Sequence, residues 1–268
     1  MQIRNKRFDT YKHTYVCAIL NVTPDSFSDG GEAFVLADAV DKAKRLIECG
    51  ADLIDIGGES TRPGFTEVSV SDEIARVVPV IEKIRSFSDI PISVDTRKSK
   101  VAESALGVGA DIINDVSGLR FDPDMAGVIA RNGAFCCLMH DGQYFEKKDD
   151  YIGGVADDLM QIAGDAEAAG IARDKIIIDP GVGFGKEAQE NLNVIRGLGI
   201  FTRLPYPVLL GCSRKSVIGK VTGLDVKERL EGTLATTAMA VMAGVGFVRV
   251  HDVRENVRFV SMMEALCR

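Results

Sequence analysis

Short apolar runs alternate with longer amphipathic stretches along most of the chain. Several runs are continuous in Val, Ile and Leu rather than alternating, which is typical of strands buried on both faces of a parallel sheet. They fall at 16–22, 52–58, 91–96, 111–118, 134–140, 175–181, 207–213 and 246–252. The stretches between them have helical spacing, as in LADAVDKAKRLIECG, where Ala39, Ala43 and Leu46 share a face and Gly50 follows as a C-cap.

The number of these units predicts the fold class. Eight strand–helix units follow one another, with a last helix near 253–266. An open doubly wound sheet usually has fewer strands, so the count favours an α/β protein of the (β/α)8 TIM-barrel type. A helix is expected to begin at Ser71, which acidic residues follow. No repeat or low-complexity linker divides the chain, so residues 1–268 are predicted to form a single domain.

Composition and charge narrow the class of partner. The net charge of −7 and pI near 5.1 disfavour a nucleic-acid-binding protein. The sequence shows neither a signal peptide nor an apolar segment long enough for a membrane span, so a cytoplasmic location is expected. The six cysteines lack CxxC spacing and are interpreted as reduced thiols, most of them buried.

Polar side chains stand at the carboxyl end of nearly every apolar run. They are Asn21, Asp55, Glu59, Asp95, Asn114, Asp115, His140, Asp179, Ser213, Arg214, Lys215, Arg249 and His251. In a barrel these strand ends meet at one rim, where active sites lie. Taken singly, Asp95 before TRKSK could be a helix cap and Asp179 before Pro180 a turn former, and both alternatives stay open. A complete ring of acids, amides and cations is harder to explain by turns alone.

The polar ring divides by chemistry into two halves. The side chains of Asp95, Asn114, Asp179 and Lys215 can pair with a planar ring that carries amino, N–H and carbonyl groups. On the last strand, Arg249 and His251 alternate and are expected to point the same way. A helix begins directly afterwards, and arginine beside a helix N-terminus commonly binds phosphate. His251 alone would more often be structural.

Two polar loops extend this rim. The loop NVTPDSFSDGG is too long and polar for a plain connection and suggests a mobile lid. The amide oxygen of Asn21, at its start, could bind Mg²⁺ bridged to a diphosphate, since hard cations prefer oxygen ligands. The second loop, ESTRPG, supplies Thr61 and Arg62. A glycine-rich segment, GVGFGK, is only a weak match to a nucleotide-binding loop.

These segments together resemble the dihydropteroate synthase family of pterin-binding barrels. The resemblance runs in family order through NVTPDSFSDGG, DIGGESTRPG, SVDT, INDVSG, DPGVGFGK, SRKS and RVHDV. It implies a (β/α)8 barrel that joins 6-hydroxymethyl-7,8-dihydropterin diphosphate to 4-aminobenzoate in folate biosynthesis. It also implies Mg²⁺ as cofactor and a homodimer formed through helices late in the barrel, although the small residues in VKERLEGTLATTAMAVMAG could equally mark a buried helix.

The resemblance implies a role for individual residues. The pterin would meet Asp95, Asn114, Met139, Asp179 and Lys215. The diphosphate would meet Thr61, Arg249 and His251, with Asn21 at the metal. The aminobenzoate would meet Phe184, Lys215 and Ser216 beneath loops that carry Phe27, Arg62 and Pro63. Catalytic roles are predicted for Asp95, Lys215, Arg62 and Asp25.

The chain departs from the family pattern in one place. The fifth strand is followed by LMHDGQ, where the family often has a sequence like Met-His-Met-Gln-Gly. Met139 is kept, but Asp141 changes the loop and leaves its role open.

The mechanism implied is dissociative. Diphosphate would leave first, the dihydropterin would stabilise the cation on its methylene, and the aryl amine would then attack. Rival hypotheses are a methyltransferase acting between methyltetrahydrofolate and a corrinoid protein, a non-catalytic pterin-binding paralogue, and a phosphate-sugar barrel enzyme. The methyltransferase would need neither SRKS nor the first loop, and the paralogue would be expected to lack some of the motif residues, which are present here.

Overall fold

The chain forms a parallel barrel surrounded by helices. The computed structural model describes residues 1–23, 32–59 and 67–267, with the backbone alone for residues 32–35. The strands are β1 (Gln2–Ile3), β2 (Lys6–Arg7), β3 (Tyr15–Asn21), β4 (Leu53–Gly57), β5 (Ile92–Asp95), β6 (Ile112–Asp115), β7 (Phe135–Met139), β8 (Ile176–Asp179), β9 (Leu209–Leu210) and β10 (Phe247–Val250). The helices are α1 (Glu32–Glu48), α2 (Val70–Arg85), α3 (Ser99–Gly107), α4 (Met125–Arg131), α5 (Tyr151–Ala168), α6 (Ala188–Arg196), α7 (Leu198–Phe201), α8 (Ser216–Thr222), α9 (Leu230–Ala243) and α10 (Val253–Cys267).

Strands β3 to β10 make one eight-stranded parallel sheet, in the order β8-β7-β6-β5-β4-β3-β10-β9. Its two edges meet at a parallel bridge between Ile178 and Val208, where the Ile178 N–H donates to the Pro207 carbonyl at 2.9 Å. The sheet therefore closes on itself. The predicted (β/α)8 fold is confirmed, and each of the eight apolar runs contains one barrel strand.

Both faces of the strands are buried, which explains why the apolar runs are continuous. Outward side chains such as Leu20, Ile54 and Ile113 pack with the inner faces of the helices, for example with Val77 of α2 and Leu159 of α5. Inward side chains at the amino ends of the strands form a second cluster. Its members are Ile3, Phe8, Cys17, Leu53, Ile112, Cys137, Ile177, Leu209 and Phe247.

An N-terminal hairpin that the sequence did not predict closes the floor of the barrel. Strands β1 and β2 pair antiparallel, and Ile3 and Phe8 enter the second cluster. The Phe8 ring lies 4.8 Å from that of Tyr15 and 5.6 Å from that of Phe247, measured between centroids. The amino end of the barrel is thus filled, and its open mouth lies at the carboxyl ends of the strands.

Helix boundaries follow ordinary capping chemistry, with one correction. Helix α2 is capped two residues earlier than expected, because Ser69 rather than Ser71 is the N-cap and its hydroxyl accepts from the Asp72 N–H at 3.1 Å. Gly50 follows α1 with a φ of 93°, a conformation that favours glycine. In the described part of the chain, no helix is long and apolar enough to cross a membrane.

Candidate active site

An ion-paired cluster occupies the centre of the barrel mouth. The guanidinium of Arg249, on β10, donates from Nε to Asp55 Oδ2 at 2.5 Å and from Nη2 to Asp95 Oδ2 at 2.7 Å. Asp55 and Asp95 lie on β4 and β5 and are 1% and 8% exposed. The Asn114 amide of β6 donates to Asp55 Oδ2 at 3.2 Å. Four strands thus contribute to one buried network.

Within this cluster the pKa of Asp95 lies near neutral pH. Burial raises the pKa of Asp95 to about 7, with Arg249 opposing the rise and Asp55 adding to it. Burial would lower the pKa of Arg249, but Asp55 and Asp95 together raise it above its ordinary value. Arg249 therefore stays charged while Asp95 can hold or release a proton.

One oxygen of each carboxylate remains available to a ligand. Within the described residues, Asp55 Oδ1 and Asp95 Oδ1 are buried and have no hydrogen-bond partner. Buried polar atoms are nearly always paired, so an orphaned oxygen indicates a partner that arrives with the substrate. Both atoms can accept from an N–H group.

A second pair, Asp179 and Lys215, stands across the same space. Asp179, at the end of β8, accepts from the Gly181 N–H through Oδ1 at 2.7 Å. The Lys215 ammonium donates to the Val182 carbonyl and lies 4.5 Å from the centre of the Phe184 ring. Burial raises the pKa of Asp179, with Lys215 opposing it, and burial lowers the pKa of Lys215, with Asp179 opposing it.

Two glycines show that these groups border one hollow. A methyl group on Gly211 would lie 3.7 Å from both Asp179 Oδ2 and Lys215 Nζ, and 4.0 Å from Arg249 Cβ. A methyl group on Gly57 would lie 3.4 Å from Asn21 Oδ1 and 3.8 Å from Asp95 Cβ. These contacts, with the Arg249–Asp95 ion pair, place both sets of polar groups around the same part of the barrel mouth.

The SRKS turn and the end of the last strand form the rim beside this hollow. Strand β10 ends at Val250, so strand alternation does not set the direction of His251 as expected. Instead, the His251 ring nitrogen Nδ1 lies 3.0 Å from Ser213 Oγ, and the His251 N–H donates to the same oxygen at 3.2 Å. Helix α10 begins two residues later, at Val253, with its N-terminus at this rim.

The remaining predicted contacts lie nearby. Met139 is buried at the end of β7, in register with Asp179. Phe184 is half-buried in the loop after β8, and Ser216 is the first residue of α8. Asp25, Thr61 and Arg62, with the loop residues Phe27 and Pro63, lie outside the described residues.

Two of the polar strand ends serve the fold instead of the hollow. Asp115 accepts from Ser117 N at 2.8 Å, Ser117 Oγ at 2.6 Å and Leu119 N at 2.9 Å, and so holds the turn after β6. His140 is fully buried in the loop after β7. Asp95 does not cap α3, whose N-cap is Lys98.

Asp55 is the functional candidate to which sequence reasoning gave no role. It is one of the polar strand ends, but it lies inside the run LIDIG, all of whose residues are buried. A carboxylate in such a strand cannot be solvated and must be paired. The position of Asp55 within an apolar strand could therefore have predicted a buried cationic partner such as Arg249.

The site offers few protein ligands for a metal ion. No group of three or more His, Cys, Asp or Glu side chains in the described segments could hold one. Asn21 ends β3 half-buried at the mouth, with its Oδ1 beside Gly57. Magnesium often binds through only one or two protein oxygens, with water and substrate phosphate completing its shell. A single amide oxygen at the rim fits that mode of binding.

Comparisons with known proteins assign the class of this barrel. The family model described as "Pterin binding enzyme" matches residues 17–251, which contain all eight barrel strands except Tyr15 and Val16 at the start of β3. The chain therefore belongs to the pterin-binding enzymes.

Individual relatives narrow the assignment. The chain is 48% identical over 269 residues to the dihydropteroate synthase of Clostridium beijerinckii, covering 100% of both chains. A crystal structure of dihydropteroate synthase from Clostridium difficile, determined in the presence of pteroic acid, has a TM-score of 0.94 and 49% identity, covering 98% of this chain and 100% of that one. The enzyme from Xanthomonas albilineans with 4-aminobenzoic acid has a TM-score of 0.91 and 41% identity, covering 96% and 94%. Within its class, the chain is a member of the dihydropteroate synthase family, and the resemblance seen in its motifs is confirmed.

Proposed function

We propose that this chain joins 6-hydroxymethyl-7,8-dihydropterin diphosphate to 4-aminobenzoate, releasing 7,8-dihydropteroate and diphosphate, as a step of folate biosynthesis. The observation that carries the proposal is the hollow bordered by Asp95, Asn114, Asp179, Lys215 and Arg249 in a barrel of this family. The relatives determined with pteroic acid and with 4-aminobenzoic acid support the same two substrates.

The hollow suits a flat heterocycle rich in hydrogen-bonding groups. Asp179 Oδ2 and the free oxygens of Asp55 and Asp95 can accept from the amino and ring N–H groups of a pterin. Asn114 and Lys215 can donate to its carbonyl and ring nitrogens. Met139 would pack against the ring.

The charge of the hollow suits a cation on that heterocycle. The three carboxylates of Asp55, Asp95 and Asp179 face two cationic side chains, Arg249 and Lys215. In its ionised form, each of these carboxylates would stabilise positive charge that develops on the pterin methylene. A dissociative path follows, in which diphosphate leaves before the amine attacks.

The rim carries the anion-binding groups. Arg249 lies one residue before the end of β10, and His251 stands at the N-terminus of the 15-residue helix α10, where a diphosphate would be favoured. Asn21 would hold Mg²⁺, which when bound offsets the charge of the leaving diphosphate. The Phe184 ring, beside Lys215 and Ser216, would receive the aminobenzoate near the surface.

The test is an assay with the pterin diphosphate, 4-aminobenzoate and Mg²⁺ that follows diphosphate release. We expect release that requires the amine, and Asp179→Ala should abolish pterin binding measured by calorimetry. Diphosphate release that the amine does not accelerate, or unchanged affinity of the Asp179 variant, would contradict the proposal. Methyl transfer from methyltetrahydrofolate to a corrinoid protein would favour the rival enzyme.

A homodimer is proposed as the solution state. Large apolar side chains are exposed on α9 and α10, among them Met242, Met262 and Leu266, and these two helices pack together. A second copy of the chain would cover them. Sedimentation should show a dimer that Met242→Asp weakens, and a monomer at all concentrations would contradict the proposal. The cytoplasmic location stays a prediction.

A further inference from the structure

Two glycine-rich loops meet beneath the proposed amine subsite. One loop follows β7 and contains His140, Asp141 and Gly142, and the other is the segment 181–186. The Gly142 N–H donates to the Phe184 carbonyl at 3.3 Å. A methyl group on Gly142 would collide with the Gly185 carbonyl oxygen, and one on Gly185 would lie 2.5 Å from the Gln143 nitrogen. The loops touch so closely that neither position tolerates a side chain without displacement.

One lysine ammonium joins these loops. Lys186 Nζ donates to the carbonyls of Gly181 at 2.8 Å, His140 at 3.2 Å and Phe184 at 3.2 Å. It also lies 2.8 Å from His140 Nδ1. A primary ammonium is well suited to gathering several carbonyls at one point.

The contacts of Lys186 with Gly181, Phe184 and His140 are called the joint below. The ring of His140 acts as a hydrogen-bond acceptor in it. Burial, with the nearby Lys186 ammonium, lowers the pKa of His140 to about 4, so its ring is neutral near pH 7 and Nδ1 accepts from Lys186. Burial also lowers the pKa of Lys186 to about 7. The ammonium has three N–H donors for these four acceptors and the neutral amine has two, so the joint keeps donors in either state and is strongest when Lys186 is charged.

The joint lies directly behind the groups that would hold the amine. The Phe184 carbonyl is bound by Lys186, while its ring lies against the Lys215 ammonium. The Val182 carbonyl, two residues away in the same loop, accepts from Lys215. A shift of this loop would therefore move the aromatic ring and the lysine together.

We propose that Lys186 is a positioning residue for the amine substrate. It fixes the loop that places the Phe184 ring and the Lys215 ammonium, without touching either substrate itself. The proposal rests on the proposed function. It also assigns a role to the altered loop at Asp141, whose carboxylate accepts from Gln143 N at 3.0 Å and Gln143 Nε2 at 2.6 Å and so shapes the partner surface of the joint.

The test is steady-state kinetics of Lys186→Met, which keeps the length of the side chain and removes its donors. We expect the KM for 4-aminobenzoate to rise about tenfold or more, since small displacements of positioned groups weaken binding and turnover. The dissociation constant of the pterin diphosphate, measured by calorimetry, should rise by a clearly smaller factor, because Asp95 and Asn114 lie on β5 and β6 and make no contact with Lys186 among the described residues. Lys186→Arg should recover part of the loss. The control is Lys148→Met, an exposed lysine of the preceding loop that pairs only with Asp157 among the described contacts.

A second variant changes the other loop of the joint, the one after β7. Gly142→Ala should raise the amine KM in the same way, and it serves as the test should Lys186→Met fail to fold. Unchanged amine KM in a folded variant, or an equal loss of pterin affinity, would overturn the role of Lys186. An inactive wild-type enzyme would instead overturn the proposed function.

Discussion

At the scale of single residues, the clearest energetic feature outside the site is the burial of Lys98. Its ammonium donates to Glu59 Oε2 at 2.8 Å, Glu73 Oε2 at 2.7 Å and the Val68 carbonyl at 2.7 Å. All three charged side chains are buried. Removing one member of such a group leaves uncompensated charge in a poorly solvated place.

Lys98→Met should therefore destabilise the protein strongly. We expect a loss of about 3–5 kcal/mol in the free energy of unfolding, because two buried glutamates lose the ammonium that they share. Urea denaturation followed by circular dichroism measures it. Lys100→Met, an exposed lysine in the same helix, is the control and should change stability little. Equal stability of the two variants would contradict this account.

Asp95 should make stability depend on pH. A carboxyl whose pKa is raised to about 7 binds more protons in the folded than in the unfolded state between about pH 4 and pH 7. The wild type should accordingly lose stability relative to Asp95→Asn as the pH rises through this window. The slope of the difference is bounded by about 1.4 kcal/mol per pH unit. Chemical denaturation at several pH values measures it, and a difference that stays flat would argue against the raised pKa. Asp41→Asn, on the exposed face of α1, is the control.

At the scale of elements, the turn between β9 and α8 is the most constrained connection near the site. Arg214 has a φ of 57°, unusual for a residue with a side chain. Its guanidinium donates from Nε to Asp252 Oδ2 at 3.0 Å and from Nη2 to Asp252 Oδ1, while Arg229 donates to the Arg214 carbonyl at 3.0 Å. These contacts tie the turn that carries Lys215 to the start of α10.

Asp252→Asn should loosen this turn. The bidentate ion pair weakens, and we expect kcat/KM to fall about 10- to 100-fold because Lys215 and Ser213 lose their fixed positions. Steady-state assays measure the effect, with thermal unfolding to show that the fold persists. Glu255→Gln, exposed on α10, should behave like the wild type. Activity that falls no further in the Asp252 variant than in this control would exclude the role of the pair.

The strands were predictable because a parallel barrel buries both faces of every strand. Such strands appear in the sequence as continuous apolar runs. The polar rim was predictable for the same reason, since each run ends where the strand leaves the core. The pairing of Arg249 with Asp55 and Asp95 was not, because it depends on the register of strands far apart in the sequence. The hairpin of β1 and β2 was missed because strands of two residues carry no periodicity.

At the scale of the whole molecule, the hairpin links the start of the chain to the barrel floor. Phe8 and Ile3 are among the largest fully buried side chains, and they pack in the second cluster at the amino ends of the strands. The floor and the mouth are thus separate layers of one barrel.

Phe8→Ala should reveal this separation. We expect a loss of about 3–5 kcal/mol in unfolding free energy from the cavity it creates, with kcat nearly unchanged at temperatures where the protein stays folded. Denaturation curves and assays on the same preparation measure both. Tyr11→Ala, at a side chain 73% exposed, should alter neither. A fall in kcat that parallels the fall in stability would show that the floor and the mouth are coupled.

The Arg249–Asp55 ion pair spans 194 positions of the sequence. During synthesis, Asp55 leaves the ribosome long before its partner exists, and a chain that stops short of β10 has a negatively charged, unclosed interior. Any substrate contact that needs this pair is consequently absent from every product of translation that ends before β10. A ligand that contacts both residues would also bind the finished protein more tightly than any folding intermediate, and so would draw newly made chains toward completion.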